Sequence, residues 1–219
     1  MTREPVPHTH VQQVAQSGQT RRKLLQILRG DANFRWFLLA RLLATVGNMG
    51  AGFLTVAAVY RWQIADSTVG IFTTALLVGQ TLGNLFAGLL ADRWGHKITL
   101  EMGIGAAVVA YALAWWAPNV DWYYALFFLL GIANGITIVS GVLIALEFSL
   151  PQHRPTYIGI ANTTVGIGSV IGPLVGGLLA TLNYGWLFVL SALIGVLALS
   201  LLHFTVLEPR RQKDFFAVE

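Results

Sequence analysis

The sequence predicts an all-α membrane protein, a bundle of six transmembrane helices, and three observations carry that expectation. Apolar residues make up 55% of the chain and charged residues only 11%, against roughly 25% charged in an ordinary soluble domain. Long apolar stretches recur six times, each near the ~20 residues that a helix needs to cross the hydrocarbon core. The breaks between them are brief, which forces neighbouring helices antiparallel. The stretches are continuous rather than alternating, so a helical bundle is favoured over a β-barrel.

The first 32 residues are polar and lack the basic-then-apolar pattern of a cleaved leader. Within them Gln19–Gly30 sets Leu24, Ile27 and Leu28 on one helical face, flanked by Arg21, Arg22, Lys23 and Arg29. That pattern suits a short helix lying on an anionic membrane surface. The spans then run Phe34–Tyr60, Ser67–Ala91, Ile98–Ala117, Trp122–Phe148, Tyr157–Leu182 and Trp186–Leu207. Asp66-Ser67, Asp92 to Gly95, Pro118-Asn119, Pro151 to Pro155 and Asn183-Tyr184-Gly185 separate them, each rich in turn-forming residues. The expected organisation is a cytoplasmic segment or linker over residues 1–32, a six-helix unit over 33–208 and a cytoplasmic tail over 209–219.

Lysine and arginine orient the bundle. Arg3, Arg21, Arg22, Lys23, Arg29 and Arg35 precede the first span, and Arg93 and Lys97 lie between the second and third. Arg154 lies between the fourth and fifth, and Arg210, Arg211 and Lys213 follow the sixth. All of these fall on one side, with Arg61 opposite and Arg41 inside a span. The positive-inside rule then makes both termini cytoplasmic. It also accounts for the net charge of +4 without any nucleic-acid partner. The chain has no cysteine, which removes disulfides, thiolate catalysis and Cys-ligated metal together.

The spans differ in polarity. The third and sixth are almost uniformly apolar, as lipid-facing helices should be. Small and polar residues concentrate in the second (Gly79, Gln80, Thr81, Gly83, Asn84) and in the fifth (Asn162 to Gly177), which predicts close packing against other protein. The first and fourth each carry an amide among glycines, Asn48 in Val46-Gly47-Asn48-Met49-Gly50 and Asn134 in Ala133-Asn134-Gly135. Likeness between spans one and four, two and five, and three and six predicts two three-helix repeats of inverted topology. Asn48, Asn134, Thr137, Gln80, Asn84 and Asn162 are the candidate cavity residues; interhelical hydrogen bonding accounts for Asn48 and Asn134 equally well. Arg41 and Glu101 are expected to snorkel or to pair locally.

The turn after the second span, Gly88-Leu89-Leu90-Ala91-Asp92-Arg93-Trp94-Gly95-His96-Lys97, closely resembles the signature loop of the major facilitator superfamily, in residue pattern and in its place after the second helix of a six-helix half. Gly88 would admit a neighbouring helix and Gly95 the chain reversal. Asp92 would meet the N-terminal dipole of an adjoining helix and the basic residues of its own turn. The family usually has arginine where this chain has His96, which replaces a permanent charge pair to Asp92 with a pH-sensitive one. The resemblance also implies a charge relay of Asp92, His96 and Lys97 with Glu147, at the same end of the fourth span, with Arg93 and Lys97 anchoring the loop at the headgroups. Gly159, Gly168, Gly172, Pro173, Gly176 and Gly177 resemble the glycine-proline pattern that antiporter branches of the family carry in the fifth helix. It implies a bend at the interface between halves, and leans toward export.

Family members ordinarily have twelve helices. Thr2-Arg3-Glu4-Pro5 echoes the exit of the sixth span, Leu207-Glu208-Pro209-Arg210, so the unit reads more readily as the C-terminal half. The function implied is that of a secondary transporter, or half of one. It would move a small molecule across the cytoplasmic (plasma) membrane by alternating access, with ion-coupled efflux as one form. Its partners would be the substrate, the lipid bilayer and a second six-helix half, from a separate chain or a homodimer. The alternative is a non-transporting truncated or regulatory subunit that pairs with another half. An enzyme is disfavoured because Ser140-Gly141 and His203 lack a supporting motif, and His8 and His10 suggest no metal site. No cofactor is expected.

Overall fold

A computed structural model describes residues 27–209. Most of the expected surface helix and nearly all of the tail therefore lie outside the described residues. Among the described residues six helices are long and apolar enough to cross a membrane. We label them α1 (Ala32–Trp62), α2 (Asp66–Trp94), α3 (His96–Trp116), α4 (Asp121–Glu147), α5 (Arg154–Leu182) and α6 (Tyr184–Thr205). Their bounds fall within a few residues of the apolar runs. The first span is broken: Asn48–Phe53, its glycine-rich middle, forms a 3-10 turn between two α-helical pieces.

The ends of the helices have local causes. Asp31 caps α1, its Oδ1 accepting the Phe34 N–H at 2.9 Å. Asn183 caps α6 by accepting the Gly185 N–H. The sixth span stops at Thr205 rather than Leu207 because Val206 is extended. There the Asn33 amide holds Leu207 at both backbone groups, accepting its N–H at 2.8 Å and donating to its carbonyl at 3.0 Å. This clamp joins the start of the first span to the exit of the last. Aromatic side chains gather where α1, α3, α4 and α6 reach the far end, with Trp62 against Tyr123, Trp116 against Trp122 and Tyr60 against Tyr184. Such belts mark the membrane-water boundary.

Packing follows the glycines. Gly79 and Gly83 of α2 face Gly131 and Gly135 of α4 so closely that a Cβ at any of them would overlap a backbone carbonyl of the other helix. On α5, Gly168, Gly172 and Gly176 lie against Thr45, Val46 and Met49 of α1. The principal pairings are α2 with α4, α5 with α1, α3 with α4, α6 with α1, and α3 with α6. Exchanging one for four, two for five and three for six returns the same set. That is the arrangement of two three-helix repeats, and an odd number of spans per repeat inverts the second relative to the first.

One expectation needs correction. Spans α3 and α6 do not simply face lipid; they pack on each other, burying Leu100, Tyr111, Leu187, Phe188 and Leu202. The least buried spans are α2 and α5. Each uses its small residues against one neighbour and leaves large apolar side chains open, among them Leu77, Leu85 and Leu89 on α2 and Val170, Leu174 and Leu178 on α5. Uniform apolarity cannot separate a lipid contact from a helix contact, since both surroundings are equally apolar.

The core forms two apolar clusters at different depths. One gathers Phe34, Phe37, Leu100, Ile144, Tyr157 and Leu202 at the end holding the α2–α3 turn. The other gathers Leu54, Phe72, Tyr123, Leu126, Phe127 and Leu187 toward the opposite end.

Candidate functional site

Between these clusters lies a cavity of about 230 Å³ to which both repeats contribute. Arg41, Thr45 and Asn48 enter from α1, Asn134 and Thr137 from α4, Tyr111 from α3, Ser169 from α5 and Ser191 from α6. Of the candidate cavity residues, Asn48, Asn134 and Thr137 therefore line it. Gln80, Asn84 and Asn162 do not: Gln80 is half-buried beside α4, while Asn84 and Asn162 are exposed. Helical phase decides the difference, because these three sit on faces turned away from the waist.

Tyr111 donates its hydroxyl to Asn48 Oδ1, which fixes the amide and leaves its NH₂ group as donor. Arg41 does not snorkel, and among the described residues it pairs with no carboxylate. It is 8% exposed. Its Nη1 reaches the Thr137 carbonyl at 3.4 Å, and its Nε has no hydrogen-bond partner. Gly141, one helical turn beyond Thr137, makes the niche, since a Cβ there would run into the guanidinium. Tyr111, Ser169, Ser191 and Gly141 were not distinguishable by sequence from the other residues of apolar spans. Arg41 carried a signal, an ionisable side chain inside a span, but was expected only to snorkel or to pair locally.

The signature turn lies at the end where α1 begins and α6 leaves. Gly95 has φ +89°, a region reserved for residues without a Cβ. A side chain there would also come within 2.9 Å of the Glu208 carboxylate. His96 is buried and faces Glu147, Nε2 to Oε1 3.9 Å. Lys97 pairs with Glu101 at 3.5 Å and donates to the His203 carbonyl at 2.9 Å, and His203 also meets Glu101 at 3.2 Å. The four-residue relay is thus only partly assembled within the chain. His96 and Glu147 come together, Lys97 turns to Glu101, and Asp92 and Arg93 are exposed. Asp92 makes no ion pair among the described residues.

Gly88 likewise has open space around it and admits no helix of this bundle. On α5, Gly168, Gly172 and Gly176 are buried against α1, not on a face left for a second half. Gly159 and Pro173 are exposed and Gly177 is half-buried. Ser140 is buried, with a hydroxyl that makes no hydrogen bond among the described residues.

Gly95→Ala is expected to lower stability by about 1–3 kcal/mol, the cost of a Cβ in this backbone region. The thermal midpoint of the chain purified in detergent reads it, and an unchanged midpoint would mean the turn relaxes freely.

A six-span integral membrane bundle, with a polar waist between two apolar clusters and a charged turn after its second span, defines a multi-pass protein of carrier architecture. The sequence model of the Major Facilitator Superfamily matches residues 37–217, and the chain belongs to that family. It is similar to the multidrug transporter protein MdtP of Bacillus subtilis (strain 168), 31% identical over 127 residues, 58% of this chain and 24% of that protein. It is also similar to the niacin transporter NiaP of Acinetobacter baylyi, 27% identical over 135 residues, 61% of this chain and 30% of the relative. The MFS-type transporter YfkF of Bacillus subtilis is 28% identical over 159 residues, 68% of this chain and 41% of its own length. The matched stretch thus spans between a quarter and two fifths of these relatives.

Proposed function

We propose that the chain is one six-helix half of a secondary transporter that carries a small molecule by alternating access. The waist cavity carries this reading. Ligand pockets usually enclose ~300–1,000 Å³, and about 230 Å³ lined from both repeats suits half of such a pocket. A second half would complete it by covering the open faces of α2 and α5. Asp92, Arg93 and Gly88, exposed at one end of α2, would then meet a helix terminus of that partner, and Pro173 would let α5 adjust. His96 and Glu147 would hold the turn to α4 as the halves rock. The relatives' names, with multidrug and niacin transport among them, support a small organic cargo without choosing one.

We place the signature turn on the cytoplasmic side of the plasma membrane, with both termini, on the distribution of lysine and arginine. The chain has no native cysteine, so a single cysteine at Arg93 reports its side unambiguously. Labelling from outside intact cells would reverse the orientation.

Pairing is tested by cross-linking and native mass spectrometry in mild detergent, where a particle of two halves is expected. A strict monomer that still transports would remove the half reading. Asp92→Asn should abolish most flux in the paired assembly while leaving expression intact, because a neutral amide loses a charge-dipole attraction of up to ~2 kcal/mol at a partly buried helix end. Full flux in that variant would take Asp92 out of the gating contact.

A further inference from the structure

We infer that Arg41 is the receptor for an anionic group, a carboxylate or comparable oxyanion, on the small molecule carried. The inference rests on the transport reading, and the geometry gives it content that the family alone does not. Among the described residues the waist cavity is lined by one cation and no carboxylate. The same cavity is lined by groups able to donate hydrogen bonds: the Asn48 amide oriented by Tyr111, Asn134, Thr137, Ser169 and Ser191. The Ser191 hydroxyl and Arg41 Nε are both buried without partners.

A buried cation in an apolar span is costly unless something neutralises it. Among the described residues the guanidinium has one long hydrogen bond, to the Thr137 carbonyl at 3.4 Å. Gly141 keeps a niche around it that any side chain would fill. The planar fork matches a carboxylate through two parallel hydrogen bonds, so an anionic cargo would relieve the unpaired charge. A cationic cargo would be repelled and a neutral one would leave the charge unrelieved. The competing source of a counter-charge is a carboxylate of a second half, which would fill the same place permanently.

The test uses the full chain in mild detergent and reads its thermal midpoint with sodium benzoate, inorganic phosphate or benzamide, at ionic strength held constant with sodium chloride. Benzamide has the shape of benzoate without its charge. At about ten times its Kd, an anion that binds should raise the midpoint by about 3–6 °C, benzamide should not, and Arg41→Gln should abolish the rise. Arg154→Gln, a cation change outside the cavity, should keep it. Arg41→Lys, which keeps the charge and loses the fork, should retain less than half of it and serves if the glutamine variant does not fold. Benzoate set against phosphate separates carboxylate from phosphate recognition. No rise with either anion, or an equal rise in Arg41→Gln, overturns the assignment, and so does a paired assembly in which a partner carboxylate cross-links to position 41. These readings need no flux. A transporting assembly without the Arg41-dependent rise would remove this inference alone, and an Arg41-dependent rise without transport in any pairing would count against the transport reading alone.

Discussion

Gly131→Leu will push the second and fourth spans apart and produce the largest loss of stability of any single change considered for this bundle. Gly131 sits where its Cα meets α2 so closely that even a methyl would overlap the Leu76 carbonyl and come 2.8 Å from the Gln80 nitrogen. The obstacles are backbone atoms of a helix, so no rotamer change relieves them. Overpacking a well-filled interface costs ~1–3 kcal/mol and occasionally more. A leucine on this surface belongs at the upper end, and Gly79, Gly83 and Gly135 form the rest of the same contact. The thermal midpoint in detergent should fall by several degrees, and the monodisperse peak in size-exclusion chromatography should be reduced. Gly166→Leu, on a surface where nothing lies within 4 Å, should leave both measures almost unchanged. Equal behaviour of the two variants would deny that backbone contact joins α2 to α4.

The opposite sign is expected at Arg41→Met. Replacing a buried ionic group with a well-packed apolar side chain is often neutral or stabilising, by ~1–4 kcal/mol. Arg41 has more to gain than a paired residue, because among the described residues its guanidinium has no carboxylate and its Nε has no acceptor. Methionine is flexible enough to fill the niche beside Gly141. The variant should melt several degrees higher than the parent chain in the same detergent. A lower midpoint would reveal a buried counter-charge and would undo the description of Arg41 as unpaired. A stabilised variant would mean that the native residue is retained at the expense of stability, as expected of a residue kept for binding.

Much of this architecture is legible in the order of residues because the membrane leaves few alternatives. A polar backbone in hydrocarbon has to satisfy its own hydrogen bonds, so each long apolar run becomes a helix. Short breaks such as Asp92 to Gly95 then dictate antiparallel neighbours. The 3-10 break at Asn48–Phe53 falls in the first span's glycine-rich middle, and the positive φ at Gly95 falls on the glycine read as the reversal. Asn48, Asn134 and Thr137 reached the waist, while Gln80, Asn84 and Asn162 did not, although all six are polar residues in apolar spans. What separated them was rotation about each helix axis. A hydrophobic pattern sets that rotation for a helix in water but barely constrains it in lipid, where both sides are apolar.

Side-chain partnership was harder still. The resemblance grouped Asp92, His96, Lys97 and Glu147, yet within the described residues Lys97 sits with Glu101 and His203, and Asp92 faces outward. Glu101 and His203 are about one hundred positions apart, and no local spacing rule connects them. Glu208 against Gly95 and Asn33 against Leu207 are likewise contacts made only when the sixth span returns beside the first and third.

From its residues alone, then, this chain determines six crossings, their antiparallel order, the charged turn and the family to which it belongs, because the cost of burying charge and unsatisfied backbone in hydrocarbon is large and local. The folded bundle decides which polar side chains share the waist, leaves Arg41 without a carboxylate among the described residues and opens α2 and α5 on one face. Those outcomes depend on helix rotation and on contacts between distant spans, and in an apolar medium each arises from close packing of backbone and side chains rather than from the polarity written along any one helix.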